Sequence, residues 1–278
     1  MSNLTAETKA LLKKLNAAPR KRLGQNFMVN DSALSFIKEA LSLKQGEPVL
    51  EIGPGLGFLT RRLLENGHEV LAVEKDALFA EHLRGHFSGS LLRVFQKDIL
   101  KLDLRKDLGL KGPVKVAGNI PYNITSPILE WLILQKPLVL QAVLTVQKEV
   151  AERLAAKPGN KSWGSLSVFV QFHARVEILK IVAKNNFYPA PKVDSAVIRL
   201  LFPSEAIYPV KDAALFSLIV RRAFQKRRKT VLNALSNSKE EKFSKTNLAQ
   251  VLQEARIDPL RRPETLSIPE WVALSESL

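Results

Sequence analysis

The segment VLEIGPGLG at residues 49–57 decides the fold. It is an apolar, strand-like run that enters a glycine-rich turn, and a helical pattern follows from Leu59. Glycines in such a turn let the backbone approach a bound group closely, because a Cβ atom would clash with that group. A nicotinamide or flavin fingerprint would place its third glycine where this chain has Phe58. Pro54 also removes one backbone donor, which weakens a phosphate-cradle interpretation, so the turn favours a cofactor other than a dinucleotide.

Strand-like and helical runs alternate along the first half of the chain. Strands are predicted at 48–52, 69–74, 91–95, 114–118 and 138–146, and helices at 60–65, 77–86 and 126–135. This alternation is typical of a parallel sheet with crossover helices. Further on, a helix is predicted from Leu166, and extended runs at 176–183 and 195–202 can add antiparallel edge strands to the same sheet.

The predicted organisation is therefore an α/β domain followed by a smaller one. Residues 203–209 read as a linker, and the signals beyond it are almost all helical. One helix should bury the face formed by Phe216, Ile219, Val220, Ala223 and Phe224, and a capping box at Ser267 and Glu270 predicts a last short helix. We expect a Rossmann-like domain at 1–204 with a mostly parallel, seven-stranded sheet, and an all-helical domain at 205–278.

Acidic residues follow the second and third strands. Glu74 ends the second strand, 21 residues after Gly53, and Asp98 follows the third. Carboxyl ends of parallel strands meet at one edge of the sheet, where ligands bind in such folds, and a carboxylate at the position of Glu74 commonly holds a ribose diol. Each residue alone can be a loop glycine or a solvated carboxylate, but their joint spacing predicts a nucleoside-containing cofactor.

The fourth strand ends in Asn-Ile-Pro-Tyr at residues 119–122. A planar base laid on Tyr122 gains roughly 1–3 kcal/mol of stacking energy. The side-chain oxygen of Asn119 and a backbone carbonyl of the turn can accept hydrogen bonds from the amino group of that base. Pro121 fixes its own φ and biases Ile120 towards an extended conformation. Taken alone, this motif can also be a strand end followed by a proline turn with no role in binding, and that alternative stays open.

Composition points to a polyanionic partner. The chain has 278 residues, 46% of them hydrophobic, which allows a full core, and a formal net charge of +15. Such a charge suggests nucleic acid, with an acidic membrane surface as the weaker option. We expect RNA contacts at two basic clusters. The first contains Arg221, Arg222, Lys226, Arg227, Arg228 and Lys229, whose side chains would point around most of the circumference of a helix. The second lies near the N-terminus and contains Arg20, Lys21 and Arg22, together with Lys13 and Lys14.

Several classes of protein are excluded or disfavoured. No apolar run approaches 18 residues, so no membrane span is expected. There is no cysteine, which excludes a disulfide framework and a thiolate metal site. Residues 1–23 contain no apolar signal core, so we expect a cytoplasmic protein, with an organellar presequence as the alternative. We also expect a monomer that binds no metal.

The spacing of the glycine turn, Glu74 and Asp98 resembles the class I S-adenosylmethionine-dependent methyltransferases. Together with Asn-Ile-Pro-Tyr, the resemblance narrows to the ribosomal RNA adenine dimethyltransferase family. It extends over nearly the whole chain, through GQNF at 24–27, FYPAPKVDSA at 187–196 and QKRRKT at 225–230. The last two strings resemble the bacterial small-subunit (16S) rRNA enzyme rather than macrolide-resistance relatives that act on large-subunit rRNA.

The resemblance implies S-adenosylmethionine as cofactor and specific residues around it. By motif, the cofactor contacts are Asn26, Met28, Gly53, Gly55, Glu74, Asp98 and Asn119, and the catalytic residues are Asn119, Ile120, Pro121, Tyr122 and Phe187. Met28 stands where leucine is common, and Gln96-Lys97 replace a usual glycine before Asp98. The implied reaction is dimethylation of two adjacent adenosines near the 3′ end of small-subunit rRNA, with the immature small ribosomal subunit as partner.

Alternative functions remain at this point. They are a large-subunit rRNA methyltransferase of the resistance type, a non-catalytic RNA-binding assembly or transcription factor on the same fold, and a dehydrogenase. His82 and His86 are four residues apart on a predicted helix, but no third metal ligand is evident. Trp163 lies in a predicted loop at 158–164 that either closes over RNA or merely connects helices.

Overall fold

The computed structural model describes residues 3–20, 24–226, 228–237 and 240–278. Its internal contacts divide the chain into two units, Met1–Ala151 with Arg175–Ser204, and Glu152–Ala174 with Glu205–Leu278. The second unit contains residues 152–174, which the sequence pattern had placed in the first domain. The reason is that aromatic residues of this segment, Trp163 and Phe172, pack in the hydrophobic core of the second unit.

The secondary structure is as follows. The helices are α1 Leu4–Lys14, α2 Asp31–Ala40, α3 Phe58–Leu64, α4 Ala77–His86, α5 Leu104–Leu108, α6 Thr125–Leu134, α7 Lys148–Leu154, α8 Ser165–His173, α9 Ala213–Gln225, α10 Val231–Leu235, α11 Lys245–Glu254 and α12 Ile268–Ser277. The strands are β1 Phe27–Met28, β2 Val49–Ile52, β3 Val70–Glu74, β4 Leu92–Gln96, β5 Val114–Asn119, β6 Val139–Gln147, β7 Arg175–Val182, β8 Phe187–Tyr188 and β9 Ser195–Leu201. Each strand predicted from the sequence is found, as β2 to β7 and β9, with ends that differ by at most one residue.

The first unit is built on a seven-stranded sheet with the order β4-β3-β2-β5-β6-β9-β7. The strands β4, β3, β2, β5 and β6 pair in parallel, and β9 is antiparallel to both β6 and β7. The predicted mostly parallel sheet with antiparallel strands at its edge is confirmed. Every residue of β2 and β3 is buried, as expected for strands covered on both faces.

The order of the strands reverses beside β2. The chain runs outward from β2 to β4 and then returns to the other side of β2 to form β5. In open α/β sheets, ligands bind at such a switch point, outside the carboxyl ends of the strands. The ends of β2 and β5, marked by Gly53 and Asn119, therefore define where a site is expected.

The turn after β2 requires glycine. Gly53 and Gly55 have φ values of +63° and +58°, which residues with a Cβ rarely adopt. A Cβ on Gly55 would lie 3.0 Å from the Phe27 ring, whereas a Cβ on Gly53 would meet nothing within 4 Å. The backbone at Gly53 therefore borders open space, while Gly55 allows Phe27 to approach the turn.

A two-stranded ribbon stands beside the sheet. It pairs β1 with β8 in antiparallel fashion, with Phe27 opposite Tyr188 and Met28 opposite Phe187. The ribbon joins the GQNF segment to the FYPAPKVDSA segment, which are far apart in sequence. It thereby fixes the residues that precede β1 at the carboxyl edge of the sheet.

The second unit packs helices α8 to α12 around an aromatic core. Phe172 of α8 stacks on Phe216 of α9, with ring centroids 4.1 Å apart. Four residues of the predicted face of α9, Phe216, Ile219, Val220 and Ala223, are buried, and Phe224 is partly buried. The capping box of α12 is confirmed, because Ser267 and Glu270 bond each other's backbone N–H groups. Within the described ranges, no helix is long and apolar enough to cross a membrane.

Candidate active site

A cavity of about 210 Å³ lies at the carboxyl edge of the parallel strands. Its walls include the ends of β2, β3 and β5, the residues after β4, and the segment that precedes β1. The structure brings to this cavity every residue that the sequence motifs assigned to the cofactor: Asn26, Met28, Gly53, Gly55, Glu74, Asp98 and Asn119.

Glu74 ends β3 and is 7% exposed. Its Oε2 accepts a hydrogen bond from the Gly55 N–H at 3.0 Å, and its Oε1 accepts one from the Asp76 N–H at 2.8 Å. Burial raises the pKa of Glu74, and the two backbone N–H groups oppose that rise. Each carboxylate oxygen keeps a further acceptor site, so Glu74 can bind a pair of hydroxyl groups.

Asp98 lies on the neighbouring strand end with a cation beside it. Its Oδ1 accepts the Leu100 N–H at 3.1 Å, and its Oδ2 lies 2.8 Å from Nζ of Lys75. Burial raises the pKa of Asp98, but the Lys75 ammonium and the Leu100 N–H outweigh burial and bring it below its usual value. Asp98 is therefore an ionised acceptor, suited to an amino group. The departure at Lys97 leaves this geometry intact, because the Lys97 ammonium binds Asp107 instead.

Asn119 joins the end of β5 to the segment before β1. Its Nδ2 donates a hydrogen bond to the backbone carbonyl of Asn26 at 2.7 Å. A carbonyl can only accept, so the amide nitrogen must face Asn26 and the amide oxygen must face away from it. None of the described residues donates to Oδ1, which leaves this oxygen available to a bound amine.

The remaining residues of the predicted catalytic turn are placed differently from one another. Pro121 lines the cavity, whereas Ile120 has a buried side chain and Tyr122 is partly buried beside it. The Tyr122 hydroxyl lies 2.6 Å from Oγ of Ser195, and burial raises the pKa of Tyr122. The cavity is lined by Pro121 before Tyr122 and by Asn123 and Ile124 after it, but not by Tyr122 itself.

Phe187 is not brought to the cavity. It is 3% exposed and belongs to the hydrophobic cluster that also contains Met28, its partner in the β1–β8 ribbon. The expected contact between Phe187 and a base stays a prediction, because this cavity is the one assigned to the cofactor.

Sequence reasoning missed Glu51, a buried carboxyl group that also lines the cavity. It is 2% exposed, and its Oε2 accepts the Thr60 hydroxyl at 2.6 Å. Burial raises the pKa of Glu51 to about 8, with the nearby Glu74 charge acting in the same direction. The only signal in the sequence was an acidic residue inside an otherwise apolar strand.

The sequence matches the family model described as Ribosomal RNA adenine dimethylase over residues 16–274. The chain belongs to this family. It is 39% identical over 275 residues to the Ribosomal RNA small subunit methyltransferase A of Clostridium botulinum (strain ATCC 19397 / Type A), and the match covers 98% of each chain. Among solved structures it is similar to a dimethyladenosine transferase from Plasmodium falciparum, with a TM-score of 0.77 and 26% identity over 89% of this chain and 95% of the other. It is also similar to the 23S rRNA methyltransferase ErmE, with a TM-score of 0.69 and 27% identity over 91% and 99% of the two chains.

Membership of the adenine dimethylase family gives the architecture its chemical meaning. The first unit has the class I S-adenosylmethionine-dependent methyltransferase fold, as the two similar structures have. This excludes the dehydrogenase alternative. Among the residues that the structure describes, no group of three or more His, Cys, Asp or Glu side chains is arranged to hold a metal ion. His82 and His86 stack on each other, with ring centroids 5.3 Å apart.

The basic cluster of this dimethylase differs in two ways from the prediction. The helix α9 ends at Gln225 and α10 begins at Val231, so Lys226, Arg228 and Lys229 lie between two helices rather than around one. Arg222 is a structural residue, because its guanidinium donates to Glu240 at 2.6 Å and lies 4.3 Å from the Phe243 ring centroid. The exposed cations of the cluster are Arg221, Lys226, Arg228 and Lys229. Arg227, Lys21 and Arg22 lie outside the described residues.

Arg20 and Trp163, two further residues singled out in the sequence, both have defined partners. Arg20 is 61% exposed and pairs with the buried Asp76 at 3.1 Å. Trp163 is 1% exposed, and its Nε1 donates to the Leu266 carbonyl at 3.1 Å. The loop at 158–164 is therefore anchored through a core tryptophan, and both interpretations of the loop, closure over RNA and connection of helices, stay open.

Proposed function

We propose that this chain transfers methyl groups from S-adenosylmethionine to the amino groups of adenosines in small-subunit rRNA. Family membership and the name of the 39% identical relative support this reaction. The observation that carries it is the contact between Asn119 Nδ2 and the Asn26 carbonyl, because it aims an amide oxygen, and not an amide nitrogen, at the place of an incoming amine. Two adjacent adenosines near the 3′ end of the rRNA are the targets that the family resemblance implies.

The cavity fits the cofactor by the chemistry of its donor set. Glu74 suits the ribose hydroxyls, and the ionised Asp98 suits the amino group of the adenine. Gly53 leaves open backbone where a side chain would fill the cavity. The carbonyl of Asn26 is bonded to Asn119, and Met28 also lines the cavity; the family resemblance implies that the methionine part of the cofactor would lie beside these residues. When bound, the cofactor supplies an activated methyl group on a sulfonium sulfur.

The catalytic turn acts on the acceptor. An adenine amine is a poor nucleophile, because its lone pair is delocalised into the ring. Oδ1 of Asn119 and the carbonyl of Ile120 accept the two amine hydrogens, pull the nitrogen towards tetrahedral geometry and stabilise the positive charge that grows on it. Tyr122 stacks on the base, which must leave its own stack in the RNA to reach the turn. After the transfer the methylated nitrogen releases one proton to water, so no side chain has to serve as a base in this scheme.

RNA binding rests on the exposed cations between α9 and α10. Lys226, Arg228 and Lys229 are exposed, and Arg221 lies on the neighbouring turn of α9. Four cations of this kind repel one another unless phosphates lie between them, and each phosphate that they bind adds to the salt dependence of binding. Arg20 contributes less, because part of its charge is already offset by Asp76. We place the reaction in the cytoplasm, on an immature small subunit bound by one copy of the chain.

One assay tests the proposed function. Labelled S-adenosylmethionine is incubated with the protein and unmodified small ribosomal subunits, and the rRNA is digested to nucleosides. We expect label in N6,N6-dimethyladenosine of the small-subunit rRNA. Label found in large-subunit rRNA in a parallel reaction would favour the resistance-type alternative. Tight RNA binding without any label would favour the non-catalytic factor.

A further inference from the structure

The segment FYPAPKVDSA contains a serine that reaches the catalytic turn. Ser195 is the first residue of β9 and is fully buried. It lies opposite Gln147 of β6 on one side and Val182 of β7 on the other. A residue held between two neighbouring strands cannot shift without breaking both ladders, so the Ser195 hydroxyl is a fixed point.

The residue before Ser195 is fixed as well. The carbonyl of Asp194 accepts the Lys148 N–H at 3.0 Å, and its Oδ1 accepts the Lys184 N–H at 3.0 Å. These bonds tie the start of β9 to the end of β6 and to the turn after β7. The position of Ser195 is therefore determined from three directions before the catalytic turn is considered.

Tyr122 is held at both ends. Its backbone belongs to the short 3₁₀ turn Tyr122–Ile124, in which the Ile124 N–H donates a hydrogen bond to the Pro121 carbonyl at 3.2 Å. Its hydroxyl lies 2.6 Å from Oγ of Ser195. With the backbone fixed, the hydroxyl contact determines the remaining rotation of the ring about its side-chain bonds. Burial raises the pKa of Tyr122 further above neutral pH, and either hydroxyl can donate the hydrogen bond to the other.

We infer that Ser195 is a positioning residue that fixes the plane of the Tyr122 ring for the target adenine. This inference rests on the proposed function, because it assumes that the ring is the platform on which the base stacks. Ser195 itself does not touch the base. Without its hydroxyl, the ring samples several rotamers, and only a fraction of bound adenines lie in line for methyl transfer.

The inference predicts a decrease in turnover while binding is maintained. RNA affinity comes mainly from phosphate contacts, and the cofactor cavity does not include Ser195 or Tyr122. We expect Ser195→Ala to lower kcat by about tenfold while KM for the small subunit and Kd for S-adenosylhomocysteine stay within about twofold of wild type. Tyr122→Phe removes the same hydrogen bond without altering β9, and it should give the same pattern.

The double variant Ser195→Ala/Tyr122→Phe decides whether the two residues act as a pair. If they do, its kcat should be no lower than about half that of the slower single variant, because either substitution alone already removes their one shared hydrogen bond. Thr145→Val is the matched control. Thr145 is a fully buried residue of β6 near the same turn, and its hydroxyl has no hydrogen-bond partner among the described residues, so its kcat should match wild type.

Several outcomes would overturn the inference. One is wild-type kcat in Ser195→Ala. Another is a kcat in the double variant that equals the product of two independent decreases. A third is a drop in Ser195→Ala alone, with a lower melting temperature and no matching change in Tyr122→Phe, which would make Ser195 an ordinary core residue. An inactive wild-type protein would instead refute the proposed function, so the two failures are distinct.

Discussion

Replacing Glu51 with glutamine should change how the stability of the protein depends on pH. Glu51 is 2% exposed in the wall of the cavity and has a pKa of about 8, raised first by burial and further by the charge of Glu74. Glutamine retains an oxygen that can accept the Thr60 hydroxyl, and it cannot ionise. Glu51→Gln therefore mimics the protonated acid at every pH.

The magnitude follows from the two pKa values. In the unfolded chain the carboxyl group returns to a pKa of about 4.3, whereas in the folded chain it keeps its proton up to about 8. Between these values unfolding releases a proton, so the stabilisation is complete below the unfolded pKa and is lost as pH rises towards the folded pKa. At about 1.4 kcal/mol for each pKa unit, wild type loses about 2 to 3 kcal/mol of unfolding free energy between pH 5 and pH 7 through this group, and Glu51→Gln loses none of it.

Urea unfolding at pH 5, 6 and 7 measures the effect as the difference between wild type and variant, so that other titrating groups cancel. Glu47→Gln is the control of opposite sign. Burial raises the pKa of Glu47, but the Lys44 N–H and the Lys115 ammonium outweigh burial and bring it below its usual value, so its stabilisation is lost as pH falls. Parallel pH profiles of wild type and Glu51→Gln would refute the assignment of Glu51 as a neutral, buried acid.

Other variants test the site and the RNA surface. Asn119→Ala should keep S-adenosylhomocysteine binding within tenfold and lower turnover by about 10²-fold or more, the scale seen when an oxyanion-type donor is removed, and near-wild-type turnover would rule out the proposed role. Gly55→Ala should weaken cofactor binding, because its Cβ would lie 3.0 Å from Phe27. Gly46→Ala is the control, because Gly46 has a similar φ and a Cβ there would meet nothing within 4 Å, so that this variant should cost only backbone strain. Calorimetric titration of both variants with the cofactor separates the two effects. Arg222→Ala should lower the melting temperature, whereas its RNA affinity should stay close to that of wild type. Replacing the exposed loop cations Lys226, Arg228 and Lys229 together with alanine should lower RNA affinity. In filter binding at several salt concentrations, the slope of log K against log salt should become shallower by about 0.7 to 0.9 for each phosphate that the variant no longer binds.

The sheet could be predicted from the sequence because its central strands are buried on both faces. Such strands appear as short apolar runs bounded by turn residues, and their alternation with helices leaves few possible topologies. The assignment of Asn26, Met28 and Asn119 to the cofactor came from the family resemblance. The grouping of the strand-end residues followed from the same reasoning as the sheet, since the carboxyl ends of parallel strands meet at one edge. This is why the sequence alone brings Gly53, Glu74, Asp98 and Asn119 together.

The features that sequence reasoning missed depend on contacts between distant segments. The strands β1 and β8 have two residues each, too few to show a period, and their pairing places Phe187 in the core beside Met28. The partners of Arg222 were hidden for the same reason: Glu240 and Phe243 lie beyond the next helix. The raised pKa of Glu51 depends on desolvation by neighbours on several elements, which no single segment encodes.

Asn119 shows how the two halves of the site depend on each other. Its amide nitrogen is committed to the Asn26 carbonyl at 2.7 Å, and Asn26 lies just before the strand that the ribbon pairs with β8. The nitrogen and the oxygen of a carboxamide point in different directions. The hydrogen bond that holds the GQNF segment at the cavity therefore also orients the acceptor oxygen. In a chain whose GQNF segment is displaced from the cavity, the amide would lose this contact, and its nitrogen as well as its oxygen could face the amine. In the proposed site, cofactor enclosure and acceptor recognition are thus coupled through the Asn119 side chain.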